Sequence, residues 1–227
     1  MNTRIWAVCT CLLMLSAQLL SAQERMRYRE FQLGSDLASI AKLTGTSLSE
    51  AKVIHERPAV LKNLEWRPRY FSRGVSPQTD PVDLIVFGFY DDQLFRVIVD
   101  YDRDRTAGMT DADMIDAITT RYGPASKPVA RIGRAVAPRD LPDTPLAIWG
   151  DTEYSVTLLR MTYPVTFRLV VALTRLEDLA RTASAEAIRL DAREAPQREI
   201  DRLKKDADEA RAAQEKAKIE NKAVFRP

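Results

Sequence analysis

Four aspartates lie at short, regular intervals where a strongly apolar segment gives way to a polar one. They fall at positions 1, 3, 5 and 12 of a calcium-loop pattern: Asp100, Asp102, Asp104 and Asp111. Calcium prefers several oxygen ligands on one short loop, which such spacing could supply. Arg105, however, stands where the loop needs a glycine, and Asp111 replaces the longer bidentate glutamate. Calcium is thus the one candidate cofactor, and a polar strand end leading into a helix cap is the competing interpretation.

A second candidate is a short stretch in which basic and aromatic residues are mixed: Trp66, Arg67, Arg69 and Tyr70. Such a mixture can bind single-stranded nucleic acids or anionic glycans by stacking combined with charge. We predict a partner-binding surface here, but no nucleic acid, because the N-terminal sequence indicates export. The alternative is a strand and loop whose aromatic rings enter the core while the arginines remain solvated.

Composition excludes several other kinds of chemistry. The 227 residues include one histidine, so a site that needs two cannot form. That residue, His55, precedes Pro58 closely and is interpreted as a helix-end side chain that caps carbonyl groups. The chain carries 34 basic and 32 acidic residues, which gives no general attraction to nucleic acid or anionic membranes. Nucleotide-binding glycine motifs are absent from the sequence, and no residue is assigned a catalytic role.

Residues 1–22 have the layout of a secretory signal peptide. Arg4 is their single charge, the segment Ile5–Leu20 is mainly apolar, and small residues follow it. Cleavage after this segment would also remove Cys9 and Cys11, the two cysteines of the chain. We therefore predict a periplasmic or secreted protein with no stable membrane span after signal removal. An uncleaved N-terminal anchor is the alternative.

Residues 23–174 are predicted to form an α+β domain with an antiparallel sheet built from two meanders and short packing helices. Apolar runs separated by turn residues indicate the strands: 59–66, 82–90, 94–101, 146–149, 154–159 and 165–173. Residues 91–93 form the predicted turn of the first clear hairpin. In the strand that follows this turn, alternating residues are predicted to share one face: Phe95, Val97, Val99 and Tyr101.

Capping patterns predict three short helical segments, two before the first of these strands and one between the third and the fourth. They begin at Ser35, Ser47 and Thr110, and they end at Gly45, Ile54 and Gly123. In the third segment, four apolar or aromatic residues recur at helical spacing, which is typical of a buried helix face: Met114, Ile115, Ile118 and Tyr122.

Residues 175–227 differ in composition, since about half of them are charged, and they are predicted to form a helical tail. Three interpretations are open: a first part packed on the sheet with a solvated extension, a coiled coil, or disorder. The apolar stripe that would bind a second copy or a partner helix includes Ile200 and Leu203 and continues in alanines. We favour the first interpretation, extended by binding of an envelope protein partner through this helix.

Several short motifs follow one another in the domain: Phe87-Gly88-Phe89-Tyr90, Leu94-Phe95, Tyr122-Gly123-Pro124 and Trp149-Gly150-Asp151. This succession resembles an uncharacterised exported bacterial α+β domain family, in which a hairpin, a helix ending in Tyr-Gly-Pro and a further hairpin follow one another. The resemblance covers about half of the chain and implies a fold and an envelope location, but no activity. It does not extend to the proline-rich segment 124–145 or to the charged tail.

The sequence thus favours an exported, non-enzymatic binding or scaffold protein. The alternative is a hydrolase-type enzyme whose carboxylate-based site lies in a cleft between the sheet and the proline-rich segment. A cluster of carboxylates with shifted pKa values in one concave pocket would favour the enzyme, and an exposed apolar patch would favour the binding protein.

Overall fold

The computed structural model describes residues 26–68, 80–125, 143–224 and 226. The chain divides into two compact units, of which the first ends at Ala183 and the second begins at Ser184. The predicted signal peptide lies outside the described residues, as do Arg69 and Tyr70 of the basic and aromatic stretch.

The first unit is built on a seven-stranded antiparallel sheet, in the order β3-β4-β5-β6-β9-β8-β7. A separate two-stranded sheet, β1-β2, precedes it in the chain. The strands are β1 Arg27–Tyr28, β2 Phe31–Gln32, β3 Lys52–His55, β4 Leu61–Trp66, β5 Val82–Tyr90, β6 Gln93–Tyr101, β7 Thr144–Gly150, β8 Tyr154–Met161 and β9 Thr166–Leu173. Pairing of β6 with β9 joins the meander β3–β6 to the meander β7–β9. The predicted α+β class, with a sheet of two meanders, is confirmed.

The hairpin β5-β6 forms where its two apolar runs predict it. Asp91 and Asp92 connect the strands and have φ angles of 44° and 69°. Positive φ at both central residues matches the turn type whose twist suits a two-residue hairpin. The Asp91 carboxylate also accepts a hydrogen bond from the Val60 N–H at 2.9 Å. These contacts confirm that the two aspartates are turn residues.

A bulge in β6 corrects the predicted strand face. Gly88 pairs with Arg96 and Phe89 pairs with Leu94, which leaves Phe95 as an extra residue between the two pairs. A bulge of this kind reverses the side-chain alternation locally. Val97 and Val99 therefore belong to the main hydrophobic core, whereas Phe95 packs in a second cluster with Leu61 and Ala180.

Two α-helices lie among these strands: α1 Leu37–Thr44 and α2 Asp111–Tyr122. Asp36, rather than the predicted Ser35, caps α1 by accepting the Ser39 N–H, and Gly45 ends the helix in the left-handed conformation. The predicted capping box of Thr110 and Asp113 is present at the start of α2.

The segment after α1 is the clearest misassignment. Ser47 and Glu50 form the predicted capping box, but the helix is a single 3-10 turn, Leu48–Glu50. The chain then enters β3, so His55 ends a strand and is not a helix-end residue. Pairing of β3 with β4, which the local sequence does not indicate, takes the place of further helical turns.

The main core lies between the sheet and the elements that cover it. It combines side chains from β1, β2, α1 and α2 with side chains from strands β4 to β9. Its largest fully buried members are aromatic and aliphatic: Phe31, Phe87, Phe89, Ile40, Leu64, Ile85, Leu94, Leu158 and Leu169. Burial of such side chains is the main favourable contribution to folding.

A third helix, α3, extends over Thr174–Val224 and contains Pro196 within it. Its first ten residues belong to the first unit, where Leu176 and Ala180 pack against Leu61 and Phe95. From residue 197 onward, every described side chain of the helix is exposed. Among the described residues, no helix is long and apolar enough to cross a membrane.

Candidate functional site

A cavity of about 280 Å³ opens beside α2 in the first unit. Its lining comes from β1, β6, β9, α2 and the segments next to them: Tyr28, Arg29, Pro81, Tyr101, Thr106, Met109, Met114, Ala117, Ile118, Arg121, Tyr122 and Leu169. Most of these side chains are apolar or aromatic, which is typical of small-molecule sites. No acidic side chain belongs to this described lining.

Helix α2 faces the cavity because its apolar residues recur at helical spacing. Met114, Ile118 and Tyr122 lie on successive turns and are buried. The Tyr122 hydroxyl donates a hydrogen bond to the carbonyl oxygen of Arg27 at 3.1 Å. This bond ties the last turn of α2 to β1 and thereby fixes the distance between two walls of the cavity.

Three tyrosines contribute hydroxyl groups to the cavity wall: Tyr28, Tyr101 and Tyr122. Burial raises the pKa of Tyr28 to about 12, and it also raises the pKa values of Tyr101 and Tyr122 above the ordinary tyrosine range. A side-chain hydrogen bond joins Tyr28 to Tyr101. The three hydroxyl groups are therefore neutral at physiological pH and can donate and accept hydrogen bonds without acting as bases.

The two arginines of the lining have different surroundings. Arg29 makes a bidentate ion pair with Asp80, with N–O distances of 2.8 and 2.7 Å, and this pair raises the pKa of the guanidinium. Arg121 is exposed, donates to the carbonyl oxygen of Arg27 at 3.4 Å, and contacts Tyr122 through a side-chain hydrogen bond and a guanidinium lying 5.6 Å from the ring centroid. Within the described part of the chain it has no carboxylate partner. Arg121 is therefore the cation of the lining that remains available to an anionic group.

The four aspartates of the predicted calcium loop do not form one cluster of free carboxylates. Asp100 accepts two hydrogen bonds from Arg168, at 2.5 and 2.9 Å, and Asp111 is paired with Arg160.

The two remaining aspartates of the predicted calcium loop, Asp102 and Asp104, lie between Asp100 and Asp111 in the sequence. Asp102 accepts the backbone N–H of Arg105 at 2.8 Å, and Asp104 is exposed. Throughout the described ranges, no group of three or more histidine, cysteine, aspartate or glutamate side chains could hold a metal ion. Calcium binding stays an untested prediction.

The first two residues of the basic and aromatic stretch, Trp66 and Arg67, have different surroundings. Trp66 is 7% exposed, and its ring lies 5.5 Å from that of Phe31 in the main core, so it offers no surface for stacking. Its burial agrees with the alternative interpretation of this stretch. Arg67 is exposed and makes a surface ion pair with Asp83 at 3.0 Å.

Ile200 and Leu203, the predicted contact residues of the tail, lie in the second unit. Their exposed fractions are 58% and 55%. Both sit on α3 three residues apart, which places them on the same side of the helix.

Sequence reasoning identified one wall of the cavity but not the cavity itself. The spacing of Met114, Ile118 and Tyr122 predicted the buried face of α2, and Tyr101 was assigned to a strand face. No sequence pattern pointed to Tyr28, because the strand that holds it has only two residues and no alternation to recognise. Arg121 belonged to none of the motifs either.

Comparisons with protein-family models, curated proteins and solved structures gave no match for this chain. Its function therefore has to be inferred from the geometry of the chain itself.

Proposed function

We propose that this protein is an exported, non-enzymatic binding protein of the bacterial envelope, and that the cavity beside α2 holds its ligand. The observation that carries the proposal is the composition of the cavity wall, which is apolar and aromatic with a single available cation, Arg121. Export rests on the features of residues 1–22, and the proposed location is the periplasm or the exterior of the cell.

The size of the cavity limits the ligand. A volume of about 280 Å³ is just below the roughly 300–1,000 Å³ found for small-molecule sites. Met109 and Met114 contribute flexible apolar side chains that adapt to the shape of a bound group. The ligand we propose is a small molecule with an apolar body about the size of one ring.

The available cation of the cavity lining, Arg121, indicates that the polar group of this ligand is an anion. The guanidinium of Arg121 is exposed, whereas that of Arg29 is already occupied by Asp80. A carboxylate that meets Arg121 would gain a charge-assisted hydrogen bond while its apolar body lies against Met114 and Ile118. Small aromatic monocarboxylates therefore match the site in both shape and charge.

The same geometry favours binding over catalysis. The tyrosine hydroxyl groups have raised pKa values, so none of them is an activated nucleophile or base at neutral pH. Asp80, which is paired with the lining residue Arg29, is occupied by that ion pair. The hydrolase alternative needs a cleft beside the proline-rich segment, of which residues 126–142 lie outside the described ranges.

Calorimetric titration with benzoate, and with benzyl alcohol as its neutral counterpart, tests the proposal. Benzoate should bind with one-to-one stoichiometry and more tightly than the alcohol. Ala117→Leu should fill the cavity and weaken benzoate binding by about tenfold or more, equivalent to about 1.4 kcal/mol. Ala112→Leu is the matched control, because Ala112 is exposed on the same helix and does not line the cavity.

A second pair of variants tests the role of charge. Arg121→Gln should reduce benzoate affinity to that of benzyl alcohol, whereas Arg103→Gln, on an exposed segment outside the lining, should leave both affinities unchanged. Binding of neither probe at millimolar concentration, or equal effects of Ala117→Leu and Ala112→Leu, would overturn the assignment of the ligand to this cavity.

The proposal of export has a separate test. The intact mass of the protein recovered from the periplasm or medium should lack residues 1–22. Retention of these residues would instead support an N-terminal anchor.

A further inference from the structure

The second unit carries an exposed apolar stripe that is independent of the cavity. Its members recur at steps of three, four and seven residues along α3, and all of them are exposed: Ile200, Leu203, Ala207, Ala210 and Ala217. A branched aliphatic side chain loses contact with water when a second helix covers it, which is favourable. A stripe at this spacing is the seam of a two-stranded coiled coil.

The residues of this stripe have a defined place in the heptad. With Ile200 at position a, the positions a and d are occupied, in chain order, by Ile200, Leu203, Ala207, Ala210, Gln214, Ala217 and Asn221. An asparagine at a pairs best with the same residue of a parallel partner, because the two amides can then hydrogen-bond to each other. Asn221 therefore favours two copies of the same helix in one register.

The charges beside the seam identify the partner. Over residues 199–211, position g holds Glu199 and Asp206, and position e holds Lys204 and Arg211. In a parallel pair, position g of one helix faces the following e position of the other. Glu199 then meets Lys204 of the second copy, and Asp206 meets Arg211 of the second copy. An antiparallel pair would bring like charges together.

Ion pairs within the helix do not prevent this arrangement. Glu199 is paired with Arg202, and Arg211 lies 3.7 Å from Asp208. All four side chains are more than half exposed, and such pairs on a helix surface contribute only a few tenths of a kcal/mol each. The side chain of Lys204 makes no ion pair with any residue that the structure describes.

We propose that the protein associates with a second copy of itself through residues 199–221 of α3, as a parallel two-stranded coiled coil. The complementary charges at g and e select the copy and its direction. Alanine at three seam positions makes shallow knobs, so the association is reversible and depends on protein concentration.

Sedimentation equilibrium of the full chain tests this proposal. The wild-type protein should show a monomer–dimer equilibrium in the micromolar range. Reversing the g charges in E199K/D206K places basic residues on both sides of the seam and should weaken the dimer by more than about tenfold. The matched control, D201K/D208K, changes the net charge equally but at position b on the outer face, and it should dimerise like the wild type.

A mixing experiment separates specific pairing from a loss of folding. K204E/R211E makes both flanks acidic over residues 199–211 and should also be monomeric by itself. An equimolar mixture of E199K/D206K with K204E/R211E should restore dimers that contain one chain of each kind. Helix content, measured by circular dichroism, confirms that each variant is folded.

Three results would overturn the proposal: a wild-type protein that is monomeric at hundreds of micromolar, dissociation by D201K/D208K equal to that by E199K/D206K, or a mixture that stays monomeric. In the first case the exposed stripe would be available to a helix of a different envelope protein.

Discussion

Glu177 is a partly buried charged residue in the first turn of α3, next to Leu176, which packs against the second hydrophobic cluster. Arg96 Nη1 donates to Glu177 Oε1 at 3.1 Å, and the two side chains are 18% and 23% exposed. Burial raises the pKa of Glu177 even though the guanidinium opposes this effect, because desolvation disfavours the carboxylate. The pair joins the start of α3 to β6. It lies next to the bulge that turns Phe95 toward the second hydrophobic cluster.

The raised pKa predicts how Glu177 affects stability. The folded state binds the proton of this carboxyl group more tightly than the unfolded chain does. The stability it contributes is thus present below the ordinary glutamate pKa of about 4.3 and is lost as pH rises through the raised value. Urea unfolding of the wild type and E177Q at about pH 5 and pH 7 measures this difference, since other carboxyl groups are common to both proteins.

We expect E177Q to gain stability relative to the wild type as the pH rises, because its amide keeps an acceptor for Arg96 without a charge to desolvate. E177A should be less stable than E177Q by about 1–3 kcal/mol, because the half-buried guanidinium loses its partner. An unchanged stability difference between wild type and E177Q across this pH range would contradict the assignment.

At the scale of elements, the turn between β7 and β8 depends on Gly150. Its φ is +117°, and a Cβ atom added there would lie 2.2 Å from the carbonyl oxygen of Tyr154. The position therefore combines a backbone conformation that L-residues rarely adopt with a clash against backbone that cannot move independently. The turn holds together two strands of the three-stranded meander.

Gly150→Ala should consequently destabilise the fold by about 2–4 kcal/mol, as measured by chemical denaturation. Gly108→Ala is the control, because Gly108 also has a positive φ of 81° but nothing lies within 4 Å of an added Cβ. Its expected effect is about 1 kcal/mol. Equal losses in the two variants would show that the clash at Gly150 relaxes freely.

At the scale of the whole molecule, both hydrophobic clusters are formed by residues of the first unit. Of the residues that the structure describes, none beyond β9 belongs to the main hydrophobic cluster, and the second cluster ends at Ala180. All described side chains from residue 197 onward are exposed.

Deletion of residues 196–227 should therefore leave unfolding cooperative, with the free energy of unfolding changed by less than about 1 kcal/mol. Fluorescence of Trp66 and Trp149, both buried in the core, follows the transition. Deletion of residues 175–227 is the comparison, because it also uncovers Leu61 and Phe95 and should destabilise the fold by about 2–5 kcal/mol. Loss of cooperativity in the shorter deletion would show that the outer part of α3 belongs to the core.

The elements predicted correctly are those whose signals lie within a few residues of one another. The capping box of Thr110 and Asp113, the Asp91-Asp92 turn and the alternation of β9 all depend on neighbours in the chain. The helix predicted through Ile54 failed for the complementary reason. Its capping box was real, but backbone hydrogen bonds to β4 were available, and no local pattern reveals a distant strand.

The sequence by itself determined the class of fold, the two meanders, the main helix caps and the charged helix, because hydrophobic periodicity and capping act over a few residues. Only the tertiary structure decided the bulge at Phe95, the burial of Trp66, the pairing of Arg96 with Glu177 and the cavity beside α2. The partners in these features lie far apart in the chain: 81 residues separate Arg96 from Glu177, and 95 separate Arg27 from the Tyr122 hydroxyl that binds it. Such contacts arise from sheet closure and side-chain packing, which one-dimensional patterns do not encode.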